Sequence, residues 1–323
     1  MWWAIYDWVL LALWAINAEA SYTILRCDSS SFAKIQGAIT EATSMATNAL
    51  AKLLLPGDAT VAAAFTPLFI SSDVPTLRGL YTRVQNIDTD PLDVTFFCDE
   101  NHIEWSDPRN GWMDTAYTYT ATDGTIRHVN QYRVAAGNPG TLPGIKGSYA
   151  TLGYQIQMTS DVADCSDQAH VYVWPQRINP PTDGSDGYDH RSLRDINSQG
   201  IHPNFAALDN IKPLSETIFH ELMHVYGGLV SPTSGKKNIV DIINGKRIRG
   251  YQSCVSTNVN RLANGYTPLQ AADCPTILAK ALYLQPKNKP PMMWDTGVVD
   301  PNSGAPVGLP GPGANHKRQI TVI

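Results

Sequence analysis

Pro213-Leu214-Ser215-Glu216-Thr217-Ile218-Phe219-His220-Glu221-Leu222-Met223-His224-Val225-Tyr226-Gly227-Gly228 is the stretch on which the fold turns. A proline followed by a serine able to cap marks a helix start. Leu214, Ile218, Leu222 and Val225 then recur at helical spacing and form one apolar stripe. Gly227-Gly228 supplies the stop. The spacing predicts a helix of about three turns, buried on one side. On it His220 and His224, four residues apart, project from one face with Glu221 on the same turn. Two neutral imidazoles suit zinc, whose catalytic sites use three protein ligands and keep a position for water or substrate. A carboxylate beside the first histidine is placed to take a proton from an attacking water, the division of labour in zinc peptidases.

Two histidines need a third ligand. No glutamate follows Glu221, which removes the arrangement in which a downstream Glu completes the site. Six residues past His224, where a third histidine or an aspartate could extend the motif, stands Val230, which has no donor atom. The remaining downstream donors are Asp241, Asp273, Asp295, Asp300 and His316. The last two belong to a Pro/Gly-rich tail, read as disordered over 287–323, and Asp295 lies at its threshold. Asp241, in the connection just beyond the helix, is the better placed of the two that remain, with Asp273 as the alternative. A carboxylate replaces an imidazole at similar bond length.

Working outward, residues 30–55 carry apolar groups at helical spacing and predict a long helix ended by Pro56-Gly57, and 76–84 predicts a second. Segments 93–98, 116–120, 154–158 and 171–174 predict short strands. Residues 176–213, holding Pro180-Pro181, Gly184 and Gly187, lack periodicity and predict a long loop. Residues 267–284 predict a final Ala-rich helix. Helices first, a small mixed or antiparallel sheet next, then helices carrying the site make an α+β fold.

The first twenty residues combine an apolar run with the small-x-small exit Ala18-Glu19-Ala20, as a secretory signal peptide does. They contain Asp7 and Glu19 and no basic residue, so cleavage takes the formal net charge of -5 two units toward neutrality. A mildly acidic chain without a basic cluster argues against nucleic acid and anionic membrane partners. Residues 21–286 then form the main domain. Cys27, Cys98, Cys165, Cys254 and Cys274 fit an oxidising compartment with up to two disulfides. Cys254–Cys274 is the preferred bridge because it staples the segment after the histidine helix; Cys98–Cys165 is the second choice. His102, His128, His170, His190 and His202 are read as surface or hydrogen-bonded groups, with His190 beside Asp189 a candidate cleft residue. Trp105 and Trp112 are candidate cleft or core aromatics.

His220-Glu221-Leu222-Met223-His224, Asp241, Gly250-Tyr251, Cys254 and Ala271-Ala272-Asp273 leading into 276–284 together resemble the deuterolysin or aspzincin group, which includes fungal peptidyl-lysine metalloendopeptidases. The resemblance covers roughly residues 21–285, with its specific motifs in 214–284. It implies a zincin-like fold and one Zn²⁺ bound by His220, His224 and Asp241. Glu221 would be the general base and Tyr251 a donor to the developing oxyanion. It implies a secreted, monomeric endopeptidase acting on extracellular proteins or peptides. Two departures stand out. Asn244 occupies the place three residues after the aspartate where the family has Tyr, with Tyr251 further on, and Ala271 replaces the Asn of an Asn-Ala-Asp segment. They leave room for another expectation, a secreted zinc-capture protein that keeps the motif with little hydrolysis.

Overall fold

The computed structural model describes residues 22–55, 58–99, 168–201, 205, 207–227, 239–243, 245–261 and 265–284, together with strand backbone within 103–157. The expected signal segment, the tail from 287, Cys165, His102 and His202 lie outside these. The structure is mixed α and β and mostly helical. In chain order it runs β1 (Tyr22–Leu25), α1 (Ser29–Leu53), α2 (Ala59–Phe65), α3 (Val74–Gln85), β2 (Asp93–Phe97), β3 (Ile103–Ser106), β4 (Gly111–Thr120), β5 (Ile126–Arg133), β6 (Gly153–Gln157) and β7 (Gln168–Val173). There follow α4 (Pro175–Ile178), α5 (Leu193–Gln199), α6 (Leu214–Gly227), β8 (Ile242–Ile243), β9 (Lys246–Arg247), α7 (Tyr251–Val259) and α8 (Asp273–Tyr283). Two compact units are formed, one from Met1–Thr43 with Arg83–Asn179, the other from Ser44–Thr82 with Pro180–Ile323.

In the first unit β1, β2 and β7 are parallel neighbours and β6 joins β7 antiparallel, so the four-stranded sheet is mixed. Val94, Phe96, Phe97, Val171, Tyr172 and Val173 are all buried, the near-continuous apolar run of strands covered on both faces. Asp28 accepts the Ser31 amide at 2.7 Å and so caps α1. A second sheet, β3-β4-β5, is antiparallel and sets Trp105 opposite Trp112 and His128 opposite Thr118. The pairing of Cys98 is a correction: its partner is Cys27, not Cys165. Leu25 and Phe97 pair at the aligned ends of β1 and β2, which puts the two cysteines just beyond them side by side. Strand β1 also precedes the helices, where the sequence pattern suggested helices first; four residues are too few to show alternation.

The second unit is built around α6 and α8. Ile218, Phe219, Leu222, Met223 and Val225 of α6 and Ile277, Leu278, Ala281 and Leu282 of α8 are buried. Each large apolar side chain so placed contributes roughly 1.5–3 kcal/mol. Tyr81 joins the two helices, stacking edge-on against Phe219 at 5.7 Å and donating its hydroxyl to the Pro275 carbonyl at 2.7 Å. Lys280, fully buried, donates to the carbonyls of Leu208 and Ile211 and to Glu216, which also meets Lys212. These bonds hold the approach to α6 against α8.

Three local expectations are revised here. Ser215 lies inside the first turn of α6 and is buried, so it does not cap the helix. The stretch read as a long loop contains α4, α5 and a 3₁₀ turn at Leu208–Asn210. The final helix is shorter than its apolar run: a 3₁₀ turn at Pro268–Gln270, closed by the Thr267 amide donating to Gln270, precedes α8. The break matters, because Ala271 there bridges to Val240, whose amide donates to the Gln270 carbonyl at 2.9 Å. That bridge seats the segment carrying Asp241 beside the start of α8.

Candidate metal centre

Helix α6 forms where its sequence predicts, but it is buried on nearly every side rather than on one: of its residues only Leu214, His220 and His224 are not buried, the two histidine side chains being 18% and 14% exposed. Its last residue, Gly227, has no room for a side chain, since a Cβ would collide with Ile239. The close approach brings the returning chain directly past His224, whose Nδ1 faces the Ile239 carbonyl at 3.4 Å. Two residues on, Asp241 stands at the base of the β8–β9 hairpin, where its carbonyl accepts the Ile248 amide at 2.9 Å. The hairpin accounts for the spacing between Asp241 and Gly250-Tyr251. Asn244-Gly245 signals such a turn, and Gly245 adopts the positive φ of +73° that it requires.

The outcome is a triangle. His220 Nε2 and His224 Nε2 are 3.2 Å apart, and each lies 3.2 Å from Asp241 Oδ1. Three ligands on one face of a tetrahedral ion with bonds of about 2.0–2.1 Å would be about 3.3 Å apart, so the donor set fits zinc in spacing and in chemistry. Two imidazole nitrogens so close to one carboxylate oxygen form a group able to hold a metal ion. Asp273, the alternative third ligand, is elsewhere: its Oδ1 meets the far ring nitrogen, His220 Nδ1, at 2.7 Å. Its Oδ2 accepts the Gly250 amide at 2.7 Å.

Electrostatics follow from these contacts in the metal-free chain. Burial works against charge on His220, but its hydrogen bonds to Asp241 and Asp273 outweigh it, so the ring is held well above the ordinary imidazole range. Burial likewise acts to raise Asp241 and Asp273, and the same histidine bonds pull both carboxyls below the ordinary range. Glu221 differs. It is 4% exposed. Burial raises its pKa, opposed by the neighbouring imidazoles.

Tyr251 is buried, 1% exposed, at the start of α7, and its amide donates to Asp209 at 3.0 Å. His190 stays out of the triangle, with Nε2 on Asp186 at 2.7 Å and Nδ1 on the Lys212 carbonyl at 3.0 Å. His170 is buried in the first unit against Phe97 and Tyr172. The part played by Asp273 was missed in the sequence, where its only signal was the Ala-Ala-Asp step before the last helix. Asp209, which holds the start of α7, carried no signal at all.

No model of a known protein family matches the chain, and no curated protein matches it.

Proposed function

We propose that the chain is a secreted zinc-dependent endopeptidase of the aspzincin kind, with a zincin-like fold, acting as a monomer on extracellular proteins or peptides. The observation that carries the reading is the equilateral triangle of His220, His224 and Asp241 with the buried carboxyl of Glu221 beside it. His220, His224 and Asp241 would hold the ion. Zinc, when bound, supplies a Lewis acid that polarises a carbonyl and lowers the pKa of water. Glu221 takes the proton of the attacking water on its carboxylate and returns it to the leaving amine. A carboxyl raised by burial is suited to both halves of that transfer. The Cys27–Cys98 and Cys254–Cys274 disulfides support an oxidising, extracellular setting. Among the described residues no helix is long and apolar enough to cross a membrane.

The burial of Tyr251 favours a second reading, zinc capture with little hydrolysis, because its ring is largely withdrawn from solvent. One experiment separates them. Wild type and Glu221→Gln are loaded with zinc, assayed for metal content and incubated with casein, with and without chelator. The peptidase reading expects both proteins to bind one zinc and only the wild type to cleave. Full cleavage by the variant would sink the role of Glu221. Zinc binding without chelator-sensitive cleavage by the wild type would establish capture.

A further inference from the structure

Asp273 lies 2.7 Å from the ring nitrogen of His220 that faces away from the triangle. An ionised carboxylate only accepts hydrogen bonds, so the proton of that contact sits on Nδ1. A neutral imidazole has one proton, and with Nδ1 carrying it, Nε2 presents a lone pair to the Asp241 side. The carboxylate is itself fixed. Its second oxygen takes the Gly250 amide at 2.7 Å, and the next residue, Cys274, is bonded to Cys254 on α7. Gly250 can offer that amide because it is glycine: φ is +79°, and a Cβ would stand 2.6 Å from Asp209 Oδ2. Asp209 meanwhile binds the Tyr251 amide through both oxygens, at 3.0 and 3.2 Å. The Asp273 carboxylate and the disulfide thus lock the start of α7 to the start of α8, and Asp209 ties the former to the 3₁₀ turn at Leu208–Asn210. His224 has a weaker arrangement, a backbone carbonyl 3.4 Å from Nδ1.

We propose that Asp273 is the positioning residue of the metal centre, holding His220 as the Nδ1–H form with Nε2 directed at the ion. The inference rests on the metal-binding reading of the triangle and is independent of whether the chain cleaves peptides. Outer carboxylates of this kind set ring orientation and ligand basicity, and their loss typically weakens metal binding roughly 10–100-fold.

The test compares wild type, Asp273→Ala and Asp273→Asn at one fixed pH. Zinc affinity is measured by chelator competition, folding by circular dichroism, and the ring nitrogens of His220 by ¹⁵N-resolved spectra of the zinc-loaded protein. In the wild type the His220 Nδ1–H should be protected from solvent exchange. Asp273→Ala should lose that protection and roughly 10–100-fold in affinity, while His224 keeps its signals. Asp273→Asn, which retains shape and one acceptor oxygen, should fold as the wild type does and show a smaller loss of both. A folded Asp273→Ala variant with affinity within about twofold of wild type and Nδ1–H still protected would overturn the role. A wild type that takes up no zinc would instead overturn the metal centre itself.

Discussion

Gly227 tests how the third ligand is delivered. Any side chain there must displace Ile239, and Asp241 follows two residues later on the same short segment. Overpacking of this kind costs roughly 1–3 kcal/mol. Where that cost falls on the seating of Asp241, Gly227→Ala should weaken zinc binding about tenfold, a 1.4 kcal/mol effect, with helix content unchanged; chelator competition and circular dichroism check it. Proton competition gives a second outcome. In the metal-free chain His220 is held protonated well above the ordinary imidazole range, and zinc must take Nε2 from that proton. Binding should release a proton at pH 7, and apparent affinity should rise with pH through neutrality until the raised pKa is passed. Calorimetry in buffers of different ionisation enthalpy measures the release, and zero release at pH 7 would contradict the assignment. His220 and His224 were legible because a four-residue spacing on a helix is local information. Asp241 came from elimination. Asp273 was not assignable to the far nitrogen, because which nitrogen it meets depends on how α8 is seated.

Elements divide by the same rule. The long helix α1 and the site helix α6 show their apolar stripes in sequence, since their length lets the period repeat. Helix α5 has only Leu193 and Ile196 inward, too few to display a period. Helix α7, Tyr251–Val259, is rich in Ser, Thr, Val and Asn, weak helix formers, and is held by its neighbours instead. Asp209 binds its first amide and the Cys254–Cys274 bond fastens it to α8. That disulfide closes a loop with a sequence separation of 20, for which the chain-entropy model predicts about 3 kcal/mol of stability. Replacing both cysteines by serine should lower unfolding free energy by about that amount in a denaturant titration. It should also weaken zinc binding, because Asp273 adjoins the bond. Unchanged zinc affinity in the folded double variant would confine the disulfide to stability.

At the scale of the molecule the three ligands come from one helix and the connection after it, and their support from the last helix of the same unit. His220 and His224 belong to α6, Asp241 to the connection after it, and Asp273, which supports them, to α8. An ion there would join segments that are otherwise held by the Val240–Ala271 bridge, the Ile239–Gly227 contact and apolar packing. The first unit has its own parallel strands, buried apolar residues and Cys27–Cys98 bond, and none of its described residues belongs to the triangle. A ligand that binds only the native state stabilises it by RT ln(1 + [L]/Kd), about 4 kcal/mol at a free concentration a thousandfold above Kd. For a unit of this size that amounts to about 10 °C in melting temperature. Chelation should remove the increment and restored zinc should return it. The loss should be uneven. Amide exchange is expected to rise most in 214–227 and 239–243, which the ion would bridge, and in the start of α8, which Asp273 ties to His220, and least in β1, β2 and β7, which make no such contact. Exchange that rose equally in both sets, or a melting temperature indifferent to chelator, would show that no metal ties these segments together.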